Sequence, residues 1–491
     1  MPQFILPELD NISFCDLQAC IDEHDCGDSQ TADLPTRLLD LDSLNPNEIK
    51  LILTANLSPW TEGTERPRYA ALSYCWGAQN NNTHRTTPSN LQQHMKAIRV
   101  SDLPRTLQET VWVARYLGIR YLWIDALCII QRGNTSDSDE ADNKTADTDW
   151  QYESTRMHLV YGNALVTIVA AAASHSDGGL ILSRCPTRRS KLRECLHEEP
   201  LSGRAWALQE WALSSRRLVF SNTGTHFVCD YIGEGSGIQM RLIAKSEYYT
   251  GWHKLVSNYC SRDLTNPRDK LTGFSGLAQI YAKRLEIPTN DYLSGLWRHL
   301  LLRDLLWKRT CQPDALNVPR NRGRQPGRAP TWSWASIDGN VELMGDDIQM
   351  PEAKIQNCQV ELAVGDDVFG QVKSGILEIN CPFMSVSFHP IARGPDFKEG
   401  WWAGGDDNKF YFYPDDESEL EGHDLTPKLP CLLLGWARED YGSPMSLYGI
   451  VVRPDYTQQC FVRIGLFRYV TSFYTLLSSL DAYSREDFKI V

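Results

Sequence analysis

The chain has 491 residues, with 49 Lys and Arg against 62 Asp and Glu, for a formal charge of −13. That length suggests about three domains and a core large enough to fold without disulfide or metal staples. An acidic surface repels phosphate backbones, which argues against general nucleic-acid or anionic-membrane binding, and 42% hydrophobic with 23% charged residues argues against wholesale disorder. The longest nearly unbroken apolar run, Leu165 to Ala173, is far short of a membrane span. The start, MPQFILPELD, lacks the basic segment of a signal peptide. The 14 cysteines are scattered without a C-x-x-C pair or an H-E-x-x-H, a pattern of reduced, buried thiols rather than a disulfide framework or a zinc site. A soluble, cytoplasmic protein with no metal is expected. The 15 tryptophans are unusual, and most lie inside short motifs.

Along the chain, RLLDLD (37–42) and IKLILTANL (49–57) are strands flanking an Asn-Pro-Asn turn. YAALSY (69–74) is a compact apolar strand ended by Cys75-Trp76-Gly77. Ser101-Asp102 and Pro104 open a helix with Leu103, Leu107, Val111, Ala114 and Leu117 on one face and Gly118 as its cap. YLWID (121–125) is the next strand. A polar, acidic loop over 132–148 follows, and Asp149 is placed to cap a second helix bearing Trp150, Glu153, Met157, Val160 and Tyr161. VTIVAA (166–171) is another buried strand. This β-α-β-α-β order with near-continuous apolar strands points to a parallel sheet covered on both faces, whose ligands bind beyond the carboxyl ends of the strands. Residues 200 to 345 read as mainly helical, beginning with RAWALQEWALSSRRLVFS. From about 350 strands dominate (VELAV, ILEINC, KFYFYP, CLLLGWA, YGIVVRP, CFVRIGLF), with a short helical stretch after Tyr469. The expected divisions are 1–68, an N-terminal strand-containing segment; 69–220, an α/β domain; 221–345, a helical companion; and 346–491, a β-rich C-terminal domain.

Several residues carry two readings. At the first strand exit, Ser73 and Tyr74 hydroxyls with backbone amides suit a polar ligand and Trp76 a stacked ring; the alternative is a strand end with a core tryptophan. Asp125 ends a buried strand, where a carboxylate must be paired, hydrogen-bonded or used; it either orients a ligand or caps the next turn. Cys128 lacks a neighbouring histidine and reads as a small buried thiol. Glu153, one turn beyond Trp150, is either a carboxylate with a raised pKa or an exposed first-turn glutamate favoured by the helix dipole. Trp206 and Glu210 share a face at i, i+4 of a packing helix. The arginine runs around 184–193 and 320–328 read as solvated loops without stacking aromatics. GEGSG (233–237) is not a dinucleotide fingerprint, and no phosphate-loop G-K-[ST] exists.

YAALSYCWG, YLWIDALCIIQ, DWQYE…VYGNA…TIVAA and RAWALQEWALSSRRLVFS, in that order, resemble the fungal heterokaryon-incompatibility (HET) domain over about residues 70–220. YCSRDLTNPRDKLTGFSGLA, YLSGLW, LLW and PTWSWASIDG resemble the usual companion region, to about residue 340. The resemblance implies non-self recognition and regulated death of fused fungal cells. It also implies a distant relationship to Toll/interleukin-receptor (TIR) domains, several of which hydrolyse NAD with a helix glutamate set in W-x-x-x-E; here Trp150 to Glu153 is W-x-x-E, one residue shorter. On that comparison the fold is a TIR-like parallel sheet and NAD is a substrate, with no bound cofactor. Glu153 and Asp125 are then the catalytic pair, and Ser73, Tyr74, Trp76 and Trp150 line the ligand site. The alternative is a non-catalytic module that self-associates and recognises a protein partner in incompatibility signalling.

Overall fold

Uninterrupted apolar runs in the first half of the chain become the inner strands of one mixed sheet. This is seen in a computed structural model that describes residues 11–27, 33–57, 67–77, 84–133, 140–180, 198–231, 248–310, 323–344, 348–349, 353–363, 365–388, 401–403, 409–416, 428–438, 445–471 and 484–491. The chain divides into two units, Met1–Leu242 and Ile243–Val491.

In the first unit, helix α1 (Asn11–Glu23) precedes antiparallel β1 (Arg37–Asp40) and β2 (Glu48–Leu53), joined by the expected turn. Then come β3 (Tyr69–Ser73), α2 (Leu91–Lys96), β4 (Ile98–Arg99), α3 (Arg105–Tyr116), β5 (Tyr121–Trp123), α4 (Asp125–Cys128), α5 (Glu140–Thr155), α6 (Met157–Asn163), β6 (Val166–Ala170), α7 (Ala205–Leu213), β7 (Arg216–Ser221) and β8 (Gly224–Cys229). The sheet order is β4-β2-β1-β5-β3-β6-β7-β8. β3 runs parallel to both β5 and β6, and β6 is parallel to β7. The four parallel strands, in chain order β3, β5, β6, β7, therefore lie in the spatial order second-first-third-fourth. That is a doubly wound arrangement with its switch point between β3 and β6. Both strands are buried throughout, as expected of strands covered on two faces. Right-handed crossovers put α3 on one face and α5, α6 and α7 on the other. On that second face α6 and α7 pack together and Trp150 of α5 meets Trp206 of α7 edge to face, 5.8 Å between ring centroids.

Three local expectations change. Asp149 does not cap a helix: α5 starts nine residues earlier, at Glu140, and Asp149 lies inside it, drawn to Arg37 (2.6 Å) and to the Ile130 N–H (2.7 Å). The segment RRLVFS does not continue the preceding helix. α7 stops at Leu213, and residues 216–221 form a strand buried at all six positions, because β-branched and aromatic residues there fill the space beside β6. The arginines at 324 and 328 are not solvated. Arg328 is buried against the Ala335 carbonyl and Asp338, and Arg324 binds Asp415 and the Arg463 carbonyl. Arg320 and Arg322, the 184–193 run, GEGSG, and residues 472–483 lie outside the described residues.

The second unit begins with α8 (Tyr248–Cys260) and α9 (Thr272–Leu285). Between these and the tail come the hairpin of β9 (Tyr292–Leu293) and β10 (Leu296–Trp297), the turn α10 (Leu301–Asp304), and β11 (Trp307–Arg309) paired with β12 (Val341–Leu343). Much of the tryptophan excess is spent here. Trp252, Phe274, Tyr281, Tyr292, Trp297 and Trp334 form a continuous ring-to-ring core, and Gly295 (φ +95°) is needed because a Cβ would sit 2.8 Å from the Trp334 indole. The β-rich remainder comprises β13 (Lys354–Leu362), β14 (Val372–Val386), β15 (Trp401–Ala403), β16 (Lys409–Pro414), β17 (Leu429–Arg438), β18 (Met445–Asp455), β19 (Cys460–Thr471) and β20 (Arg485–Ile490). β14 pairs with β17 through its last residues, Phe383–Val386, and with β20 through its middle, Leu377–Pro382, while β20 also meets β19, so β14-β17-β18-β19-β20 close into a ring. Among the described residues no helix is long and apolar enough to cross a membrane.

Candidate functional site

The carboxyl ends of the parallel strands bring together a cluster of polar side chains. Ser73 is the last residue of β3, Asp125 follows β5, and Arg204 and Glu210 stand at the start and on the buried side of α7, the helix between β6 and β7. Ser73 Oγ donates to Glu210 Oε2. Trp76 Nε1 donates to Asp125 Oδ2 at 2.8 Å, and the Tyr74 hydroxyl bonds the same carboxylate. A guanidinium nitrogen of Arg204 donates to the Tyr74 carbonyl. Ser73, Tyr74 and Glu210 are 2–3% exposed, whereas Trp76 and Asp125 are partly exposed and Gly77 and His175 reach the surface. The cluster is thus a buried floor with a partly open rim.

Electrostatics bind these groups into one unit. Burial pushes the Asp125 carboxyl up, against the pull of Arg204 and the bonds from Trp76, the Ala126 N–H and Tyr74. Burial works against the charge of Arg204, but Glu210 and Asp125 outweigh it and hold the guanidinium protonated more firmly than usual. Burial, with Asp125 next, drives the Tyr74 phenol well above its ordinary range, so it stays protonated and donates to the Asp125 carboxylate. Two carboxylates facing one cation leave the pocket electronegative, which suits a developing positive charge.

The rim is held by a close approach of two loops. Gly77 has φ +86°, and a Cβ there would lie 2.6 Å from His175 Cβ; the Ser176 N–H reaches the Trp76 carbonyl at 3.4 Å. The strand exits after β3 and β6 therefore touch across the switch point, where a doubly wound sheet opens its crevice. A cavity of about 340 Å³ lies at the opposite edge, lined by Leu17, Ile21, Arg68, Gly118, Arg120 and Leu165, among residues at the amino ends of these strands.

Residues 69–210 match the family model described as heterokaryon incompatibility protein (HET). The chain carries a HET domain. Its match opens on the first residue of β3 and closes on Glu210, so it spans the parallel core up to the buried glutamate. Searches of curated proteins and of solved structures gave no match.

Within the HET domain, the sequence-derived site residues fall into two groups. Ser73, Tyr74, Trp76 and Asp125 are brought together at the cluster. Glu153 is 2% exposed but is held elsewhere: Arg37 lies 3.5 Å from its Oε1, and Thr36 bonds it. Arg37 also grips Asp149 and donates to the Cys128 carbonyl at 2.6 Å, so this second group braces α4, the turn that carries Asp125. Trp150 joins neither set of polar contacts and packs on Trp206. Cys128 is 1% exposed, and burial pushes its thiol up to about 12. Sequence reasoning passed over Glu210 and Arg204 as site residues. The signal available was Trp206-Ala-Leu-Gln-Glu210, an apolar helix whose glutamate shares the tryptophan's face and faces inward. The structure also gathers Cys20, His24, Cys26 and Cys229 from the scattered cysteines, with their ligand atoms all within 4.8 Å of one another.

Proposed function

We propose that this HET domain acts in heterokaryon incompatibility by hydrolysing the nicotinamide–ribose bond of NAD, with Glu210 as the carboxylate at the ribose and the parallel sheet serving as a TIR-like scaffold. The observation that carries the reading is the placement of Glu210: a buried glutamate at the switch-point crevice, on the helix after the third parallel strand, four residues beyond Trp206. That spacing is the W-x-x-x-E setting in which TIR-related NAD hydrolases carry their glutamate.

The chemistry follows from the groups present. As the C1′–N bond lengthens, its electron pair moves onto the pyridinium nitrogen, and neutral nicotinamide leaves without an acid catalyst. Positive charge grows on the ribose ring, and the Glu210 carboxylate stabilises it as in glycoside hydrolysis. Water then attacks C1′ and loses its proton to solvent or to a carboxylate, giving ADP-ribose. Asp125 orients the ribose and fixes Trp76, which stacks on a ring; Arg204 neutralises the diphosphate. Ser73 holds Glu210 in position. Glu153, through Arg37 and Cys128, positions the Asp125 turn and does not touch the substrate. The floor is buried, so substrate reaches Glu210 when the partly exposed rim at Trp76 shifts.

Purified full-length protein, assayed at high concentration with NAD for released nicotinamide, tests this. Glu210→Gln is expected to lose about 100-fold or more in turnover with folding unchanged, while Glu153→Gln keeps measurable turnover. Glu210→Gln at the wild-type rate refutes the assignment. No nicotinamide release even from forced oligomers favours the non-catalytic self-associating module instead.

A further inference from the structure

Away from the crevice, the end of α1 meets the end of the edge strand β8. Cys20 and His24 stand one helical turn apart at the carboxyl end of α1, and the backbone N–H of His24 closes on the Cys20 carbonyl at 3.2 Å. Cys26 follows two residues later in a turn completed by Gly27 at φ +85°. Cys229 ends β8, more than 200 residues along the chain. Three thiols and one imidazole, with the cysteines 0–5% exposed, thus converge from two distant segments.

Their geometry is that of a tetrahedral site. Zinc–sulfur bonds of about 2.3 Å and zinc–nitrogen bonds of about 2.0 Å set neighbouring ligand atoms about 3.5–3.8 Å apart. The Cys229 Sγ to His24 Nδ1 separation is already 3.5 Å, and the remaining ligand atoms lie within 4.8 Å. The His24 ring is oriented by stacking on Tyr231, centroids 4.1 Å apart. Around the sulfurs stands an unusual cation. Arg216 is 6% exposed, its Nε lies 3.2 Å from Cys20 Sγ, and another of its nitrogens donates to the Cys26 carbonyl. Among the described residues it forms no ion pair with a carboxylate. A buried guanidinium requires a counter-charge. Three thiolates around a divalent cation carry a net charge of −1, which Arg216 neutralises, and its N–H···S contact is the outer-shell bond such sites use.

We infer that Cys20, His24, Cys26 and Cys229 bind one structural zinc ion that ties the N-terminal helix to the edge of the HET-domain sheet. Four protein ligands leave no open position for substrate, so the site is closed and non-catalytic. Binding releases the thiol protons, as metal coordination by buried cysteines does, and couples metal affinity to folding.

Full-length protein purified under reducing conditions, with metal content measured by mass spectrometry, is expected to hold one zinc per chain. Exchange for Co²⁺ should give thiolate charge-transfer bands and the strong visible bands of a tetrahedral site. Cys229→Ser should lose the metal, whereas His24→Cys, with four thiolates, should keep it and shift the cobalt bands. Zinc-free wild-type protein, an octahedral cobalt spectrum, or a disulfide among Cys20, Cys26 and Cys229 in anaerobically purified protein overturns the inference. Because the wild-type stoichiometry and spectrum decide on their own, misfolding of Cys229→Ser leaves the test intact.

Discussion

Glu153 shows how a buried carboxylate beside a partner still weakens the fold at neutral pH. Burial raises its pKa above the unfolded value of about 4.3, more than the Thr36 bond and Arg37 lower it. A raised folded pKa contributes stability that is complete below the unfolded value and is lost as pH climbs through the folded one. Glu153→Gln lacks this loss. The melting temperature of the variant relative to wild type is therefore expected to rise from pH 4 towards neutrality, and a difference that is flat or narrows over that range contradicts it. Asp40 runs the other way. Although burial opposes it, its bonds from Arg120 hold it below the ordinary range, so its contribution is present above the unfolded pKa and fades as pH falls through the folded one.

At the scale of elements, the site depends on strand ends that nearly collide. Gly77 occupies left-handed backbone and has no room for a Cβ beside His175. Gly77→Ala is expected to lower stability by about 1–2 kcal/mol from the backbone alone, with the loop overlap adding to it. Calorimetry should show the drop, and under the proposed NAD hydrolysis nicotinamide release should fall further than the unfolded fraction explains. Much of this architecture is legible in the residues. YAALS, YLW and VTIVA announce themselves as inner strands because an apolar run without alternation has to be covered on both sides. What was not legible is what lies far apart in sequence. Asp149 resembles a helix cap by type and position, but Arg37, 112 residues earlier, takes it. Glu210 looks like one charge on a packing helix until Ser73, 137 residues earlier, is seen against it. RRLVFS reads as a helix tail because its strand partner β6 precedes it by a whole crossover.

Across the second unit, a buried ion pair organises the junction between the aromatic core and the β-rich part. Arg463 and Asp415 are both fully buried; Arg463 also donates to the Leu305 and Trp307 carbonyls and lies 3.5 Å over the Trp307 ring. Burial pulls the Arg463 pKa down to about 10 despite Asp415. Removing one member strands the other, so Asp415→Ala is expected to cost about 3–5 kcal/mol in urea unfolding. Because Arg324 also binds Asp415, replacing all three charges, Arg324→Met and Arg463→Met with Asp415→Leu, should cost clearly less, and equal losses would show that the cluster acts through packing alone.

The ring of β14, β17, β18, β19 and β20 has a consequence in time rather than in space. Its closing member, β20, follows the other four in the chain and so leaves the ribosome after them. Until residues 485–490 emerge, Leu377–Pro382 in the middle of β14 present an unpaired edge on the side that β20 will cover, even with the four earlier strands in place, and exposed edges recruit other chains. Synthesis of this protein therefore carries a window of vulnerability that lasts until β20 has emerged and paired, and a nascent chain stalled before residue 485 is expected to bind chaperones that a chain with β20 in place does not.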